Sequence, residues 1–157
     1  MTTPLNNPMR LYRYGAWANQ ETLTSLQSKP DPPPQTLVWM AHILAAESLW
    51  IDRIVGVSSG IPVWPEWTLA ECRARLDEVK TRWETFLVSA TPERLESIIS
   101  YTNTKGEAHT SVIADIVMHI LFHGSYHRGQ IAAEARAFGQ IPAHTDFIHA
   151  TRLGLLE

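Results

Sequence analysis

Seven histidines occur in the 157 residues, and three of them, His119, His123 and His127, recur at intervals of four. A fourth, His42, interrupts the apolar run Leu37-Val38-Trp39-Met40-Ala41-His42-Ile43-Leu44. On an α-helix a step of four residues advances about 6 Å and overshoots a full turn by about 40°. Neighbours in the series therefore share a face, and their imidazoles can converge. The outer two stand about 12 Å apart along the axis and cannot ligate one ion, so the spacing leaves two pairs open, 119/123 and 123/127. An imidazole inside an apolar helix is costly unless it is hydrogen-bonded or coordinated. Because helices pack about 8–10 Å apart, His42 on a neighbouring helix is within reach of completing a three-nitrogen site. Three neutral imidazoles suit Zn, Ni, Fe or Cu, leave the ion's charge intact, and leave positions for water or substrate. Two other readings compete: a hydrogen-bonded polar layer in the core, and a solvated histidine face.

These residues need helices to position them, and the sequence punctuates several. Asn7-Pro8 supplies an N-cap acceptor followed by proline at the first helical position. The first helix must stop by Lys29, before Pro30, Pro32, Pro33 and Pro34. A second helix is predicted from about Gln35 to Val55, ending at Gly56. It is apolar around much of its circumference, which suits a central position or a partner chain. Val57 to Trp67 reads as a loop whose Trp64 and Trp67 either roof a pocket or simply pack. Thr68-Leu69-Ala70-Glu71 fits a capping box opening a third helix. Its apolar stripe is Leu69, Cys72, Leu76, Val79, Trp83, Phe86 and Leu87.

Thr91-Pro92 begins another turn or short helix. Around 98–101 and 107–110, two short stretches flank Asn103-Thr104-Lys105-Gly106 and fit a small β-hairpin. A fourth long helix runs from about Ser111 to Phe138, closed by Gly139 and Pro142. The last fifteen residues read as a docked tail with one more turn. The expectation is an all-α four-helix bundle, one domain over residues 1–157, with a small β-hairpin between the third and fourth long helices.

Composition narrows the partners. Thirteen Lys and Arg against 16 Asp and Glu give a net charge of −3, without the basic excess of a general nucleic-acid binder. No apolar run reaches the length of a membrane span. Residues 1–8 lack the charged-then-apolar pattern of a secretory signal, and Cys72, the sole cysteine, has no internal partner. A cytoplasmic protein is expected, with Cys72 in the core.

The segment His119-Ile120-Leu121-Phe122-His123-Gly124-Ser125-Tyr126-His127-Arg128-Gly129-Gln130-Ile131 resembles the signature helix of the DinB/YfiT-like family. Tyr14-Gly15-Ala16-Trp17-Ala18-Asn19 is similar to that family's first-helix motif, and Ala41-His42-Ile43-Leu44-Ala45-Ala46-Glu47 to its second. Pro142-Ala143-His144-Thr145-Asp146-Phe147-Ile148 resembles its closing motif. The resemblance implies a four-helix bundle, frequently dimeric, holding a divalent metal (Zn, Ni or Fe) on His42, His123 and His127. His119 is then a neighbour of the site. Some members of the family resemble thiol-dependent transferases or isomerases.

Around these positions, Gln130 lies three residues from His127 and can point near the site. Arg128 reads as a surface or interface salt-bridge residue. Glu47, five residues past His42 and rotated about 140° from it, reads as a polar contact of the second helix. Asn19 reads as a structural bond across the bundle; Gly124 and Gly129 mark either close helix approach or room beside a metal. His109, His144 and His149 fall outside the long helices and read as solvated or bonded to backbone. The functional expectation is a metal-dependent enzyme that activates a low-molecular-weight thiol for transfer, or else water, acting as a homodimer without nucleic acid or membrane partners; its catalytic residues are unassigned. The alternative is a non-catalytic, dimeric metal-binding stress-response protein.

Overall fold

The computed structural model describes residues 7–156; the reading of residues 1–6 as lacking a signal lies outside them. The described chain is mostly helical: α1 (Pro8–Gln27), α2 (Pro34–Val55), α3 (Leu69–Ser89), α4 (Pro92–Glu96), a hairpin of β1 (Ile98–Thr102) and β2 (Ala108–Val112), then α5 (Ile113–Ala137) and α6 (Phe147–Arg152). The helix punctuation works as the residue types demand. Asn7 Oδ1 accepts the backbone N–H of Arg10 at 3.0 Å, with Pro8 opening α1. Thr68 and Glu71 form the reciprocal capping box of α3. Gly56 ends α2 with a positive φ of 75°, a conformation that favours glycine.

The long helices α1, α2, α3 and α5 pack against one another, with α2 in contact with all three others. Thirteen of its residues are buried, against eight on α1, which accounts for its broad apolar circumference. The core joins Tyr12, Leu23, Met40, Ile43, Leu44, Ile51, Leu76, Trp83, Ile116 and Ile120 from these four helices. The Trp83 indole N–H donates to the Glu47 carbonyl at 3.0 Å, so the largest buried ring is also satisfied.

The hairpin is antiparallel, pairing Ile98 with Val112 and Thr102 with Ala108. It shortens the fourth long helix at its start relative to the sequence reading: Ser111 and Val112 are consumed in pairing with Ile99 and Ile98, and α5 begins at Ile113. Asn103 closes the turn by accepting the N–H groups of Lys105 and Glu107, both at 2.9 Å.

Candidate metal centre

His42 comes from the middle of α2, and His123 and His127 from the middle of α5. One ring nitrogen from each lies within 4.8 Å of the other two. The Nε2 atoms of His42 and His123 approach to 3.0 Å. Nitrogens on one tetrahedral ion at about 2.0–2.1 Å would stand ~3.3 Å apart; the His42–His123 separation, which is also that of a hydrogen bond, is close to this, and the full set, spread over 4.8 Å, would draw together around an ion. The 123/127 pair is the one that joins His42. His119 remains one turn away, exposed, its ring 5.6 Å from that of His123 and edge-on to Trp50.

On His42 and His127 the opposite ring nitrogen is committed to a partner outside the cluster. His42 Nδ1 faces the Val63 carbonyl at 2.8 Å, which requires the proton on Nδ1 and leaves Nε2 with a bare lone pair. His127 Nδ1 contacts Gln130 Oε1 at 2.6 Å, so an Nδ1–H donor again leaves Nε2 free. Such outer partners fix the tautomer and orientation of ligating imidazoles. Burial, first, and then the neighbouring His127, His42 and His119 rings push His123 down to about 3. His42 is likewise lowered by burial, with the Val63 carbonyl opposing. At neutral pH both rings are therefore uncharged, the form that binds metal. The donor set, the separations and the two outer hydrogen bonds fit a divalent ion.

A tryptophan covers the cluster. Trp64 stacks on His42 with ring centroids 3.5 Å apart and planes within 7°, while leaving half of its own surface to solvent. The ring acts as a roof, a role the sequence left open against ordinary packing. Its loop is pinned to α2 because Asp52 accepts from the Ser59 N–H at 3.1 Å and from its hydroxyl at 2.5 Å. Asp52 also holds Arg82 of α3. Tyr126 meets His127 edge-on at 5.1 Å.

Arg128 departs from the surface role expected of it. It is 5% exposed, and its Nη1 donates to Asn19 Oδ1 at 2.7 Å. Asn19 Nδ2 in turn donates to Glu47 Oε1 at 2.7 Å, and the Tyr12 hydroxyl reaches Glu47 Oε2 at 3.4 Å. This network joins α1, α2 and α5 beside the histidines without touching their ligand atoms. Gly124 explains how a guanidinium fits there: a Cβ at this position would meet Arg128 Nη1 at 2.9 Å. Gly129, by contrast, faces open space. Cys72 is fully buried with its thiol pushed up to about 12 by desolvation, in agreement with a core role. His144 bonds the Asp146 carboxylate and His109 the Asn103 amide, side chains rather than backbone.

A mostly helical frame with three imidazoles converging from its two best-packed helices defines a class of candidate metalloproteins. The model of the DinB family matches residues 35–153, and the chain belongs to that family. It is 26% identical over 160 residues to Protein DinB of Bacillus subtilis (strain 168), an alignment covering 88% of this chain and 90% of that protein. Among the described residues, no helix is long and apolar enough to cross a membrane.

Proposed function

We propose that the protein is a metal-dependent enzyme in which His42, His123 and His127 hold one divalent ion (Zn, Ni or Fe), and that its four long helices form a four-helix bundle of the DinB type. The observation that carries this reading is the convergence of three ring nitrogens within 4.8 Å, two of them oriented by outer hydrogen bonds. When bound through three neutral imidazoles, such an ion supplies Lewis acidity that favours the anionic form of a thiol or of water. The protein's own part is positional. Val63 and Gln130 hold the ring protons of His42 and His127 away from the centre, and Trp64 shields one side from solvent. Among the described residues no carboxylate stands within the cluster as a general base for hydrolysis, which supports a small thiol as substrate, its sulfur bonding to an electrophile as the electrophile's leaving group departs with its electron pair.

Elemental analysis of the purified protein tests the reading directly. Near-stoichiometric metal is expected in the wild type and in His119→Ala, and loss is expected in His42→Ala, His123→Ala and His127→Ala. Metal lost with His119→Ala but retained with His127→Ala would overturn the ligand assignment. A homodimer goes with this reading, supported by the exposed row Met118, Phe122 and Tyr126 along α5. Sedimentation equilibrium would give twice the chain mass.

A further inference from the structure

A second feature opens beside the histidines, on the side away from Tyr126. A cleft of about 250 Å³ is lined by His42, Trp50, Arg53, Thr104, His119 and His123, among others. Its floor on α2 follows from helical geometry: Ala46, Leu49, Trp50 and Arg53 lie four, seven, eight and eleven residues past His42, one continuous stripe. The cleft therefore begins at two of the metal-binding candidates and runs along α2 to a guanidinium.

That guanidinium is unusual for the company it keeps. Arg53 is half-buried, 4.4 Å from the centre of the Trp50 ring and 4.7 Å from that of Tyr101. Among the described residues no carboxylate lies within ion-pair distance of it. The two rings hold the cation in place through their faces, leaving its N–H groups unclaimed by any acid. The acid of the neighbouring hairpin, Glu107, does not supply one: its carboxylate accepts from Asn103 Nδ2 at 2.7 Å and faces His109. The side chain leans toward the helix N-terminus, as its contact with Trp50 shows, and so toward His42. From His42 to the level of Trp50 is about 12 Å along the axis.

We propose that Arg53 binds the carboxylate of the substrate, and that the substrate is a thiol carrying a carboxylate at the Arg53 end of this cleft. The proposal rests on the thiol reading for what sits at the histidines, but the anion subsite stands on the cleft and on Arg53 alone. One uncompensated cation with a flanking neutral imidazole matches a monoanion, and the planar fork matches a carboxylate.

The test uses mercaptohexanoate and mercaptohexanol, which share a thiol and a chain and differ in the terminal charge. Each is titrated into cobalt(II)-loaded protein and followed by the sulfur-to-cobalt charge-transfer absorption. The carboxylate is expected to bind about tenfold more tightly than the alcohol, and Arg53→Gln to abolish that preference with cobalt content unchanged. Equal affinities in the wild type, or a preference that survives in Arg53→Gln, would overturn the subsite. A parallel titration of hexanoate into metal-free wild-type protein is read from the Arg53 Nε resonance. A saturable shift is expected there whether or not cobalt binds; its absence also overturns the subsite. Absence of the charge-transfer band with a saturable Nε shift would instead take down the thiol reading and leave the anion subsite standing.

Discussion

Two clusters of buried polar side chains share helices α2 and α5, and they differ in where their hydrogen bonds point. In the Tyr12–Asn19–Glu47–Arg128 network the groups face one another: guanidinium to amide, amide to carboxylate, hydroxyl to carboxylate. In the histidine cluster the bonds of His42 and His127 run outward, to Val63 and Gln130. Inward there are only ring nitrogens, and one hydrogen bond among them, His123 Nε2 to His42 Nε2 at 3.0 Å. The first arrangement bonds its members to one another, with Arg128 Nη2 left unpaired, and serves the frame; the second turns the ring protons of His42 and His127 outward and gathers the remaining ring nitrogens in one place. Burial alone does not separate them, since Glu47 and His42 are 5% and 6% exposed. The direction of the donors does.

The comparison breaks most sharply at Arg128. Its replacement by alanine strands Asn19 Oδ1 and leaves Glu47 without its nearby cation, so a loss of about 3–5 kcal/mol is expected in denaturant unfolding, with metal content per folded chain unchanged. A comparable loss of metal would mean that the two clusters are one unit.

The clusters also respond oppositely to pH. Desolvation pushes Glu47 up to about 7 from the ordinary 4.5, against the opposing pull of Asn19, Arg128 and Tyr12. Its folded form prefers the proton, so its contribution is greatest below about 4.5 and is lost as pH rises toward 7, by about 3 kcal/mol. His123 runs the other way in metal-free protein. Its folded form resists the proton until about 3, whereas the unfolded chain accepts it near 6.5, so stability falls as pH falls through that window. Between 4.5 and 6.5 the two slopes oppose each other. Stability curves of Glu47→Gln should therefore keep only the histidine slope. An unchanged curve would show that Glu47 titrates over the same pH range folded and unfolded.

Smaller effects sharpen the distinction. Gln130→Ala removes the partner of His127 Nδ1 and is expected to weaken metal affinity about tenfold, measured by competition with a chelator, with little change in stability. Finally, Gly129→Ala should raise stability by about 1 kcal/mol, because its Cβ meets nothing and alanine favours the helix. The same change at Gly124 should destabilise, since Arg128 stands in the way.

Much of this was legible before any coordinates. Helix limits follow from local chemistry, so Asn7-Pro8, the prolines after Lys29, the Thr68–Glu71 box and Gly139 could be read directly. Four-residue spacing marked His119, His123 and His127 but left two pairs open; the family resemblance pointed to 123 and 127, and packing against α2 brings that pair to His42. Arg128 was misplaced because its partner Asn19 lies 109 residues away, and no local pattern records such a contact. The Val63 carbonyl was equally hidden, since a backbone acceptor carries no residue signature. Trp64 left a partial trace, as a large ring in a Pro- and Gly-containing loop.

Asp52 gives that loop a mechanical meaning. It sits on the same rod as His42, ten residues further on, and grips both the covering strap through Ser59 and the neighbouring rod through Arg82. Ceiling and floor are thus bolted to a single girder: the strap that carries the covering ring is anchored on the very rod whose imidazole it covers.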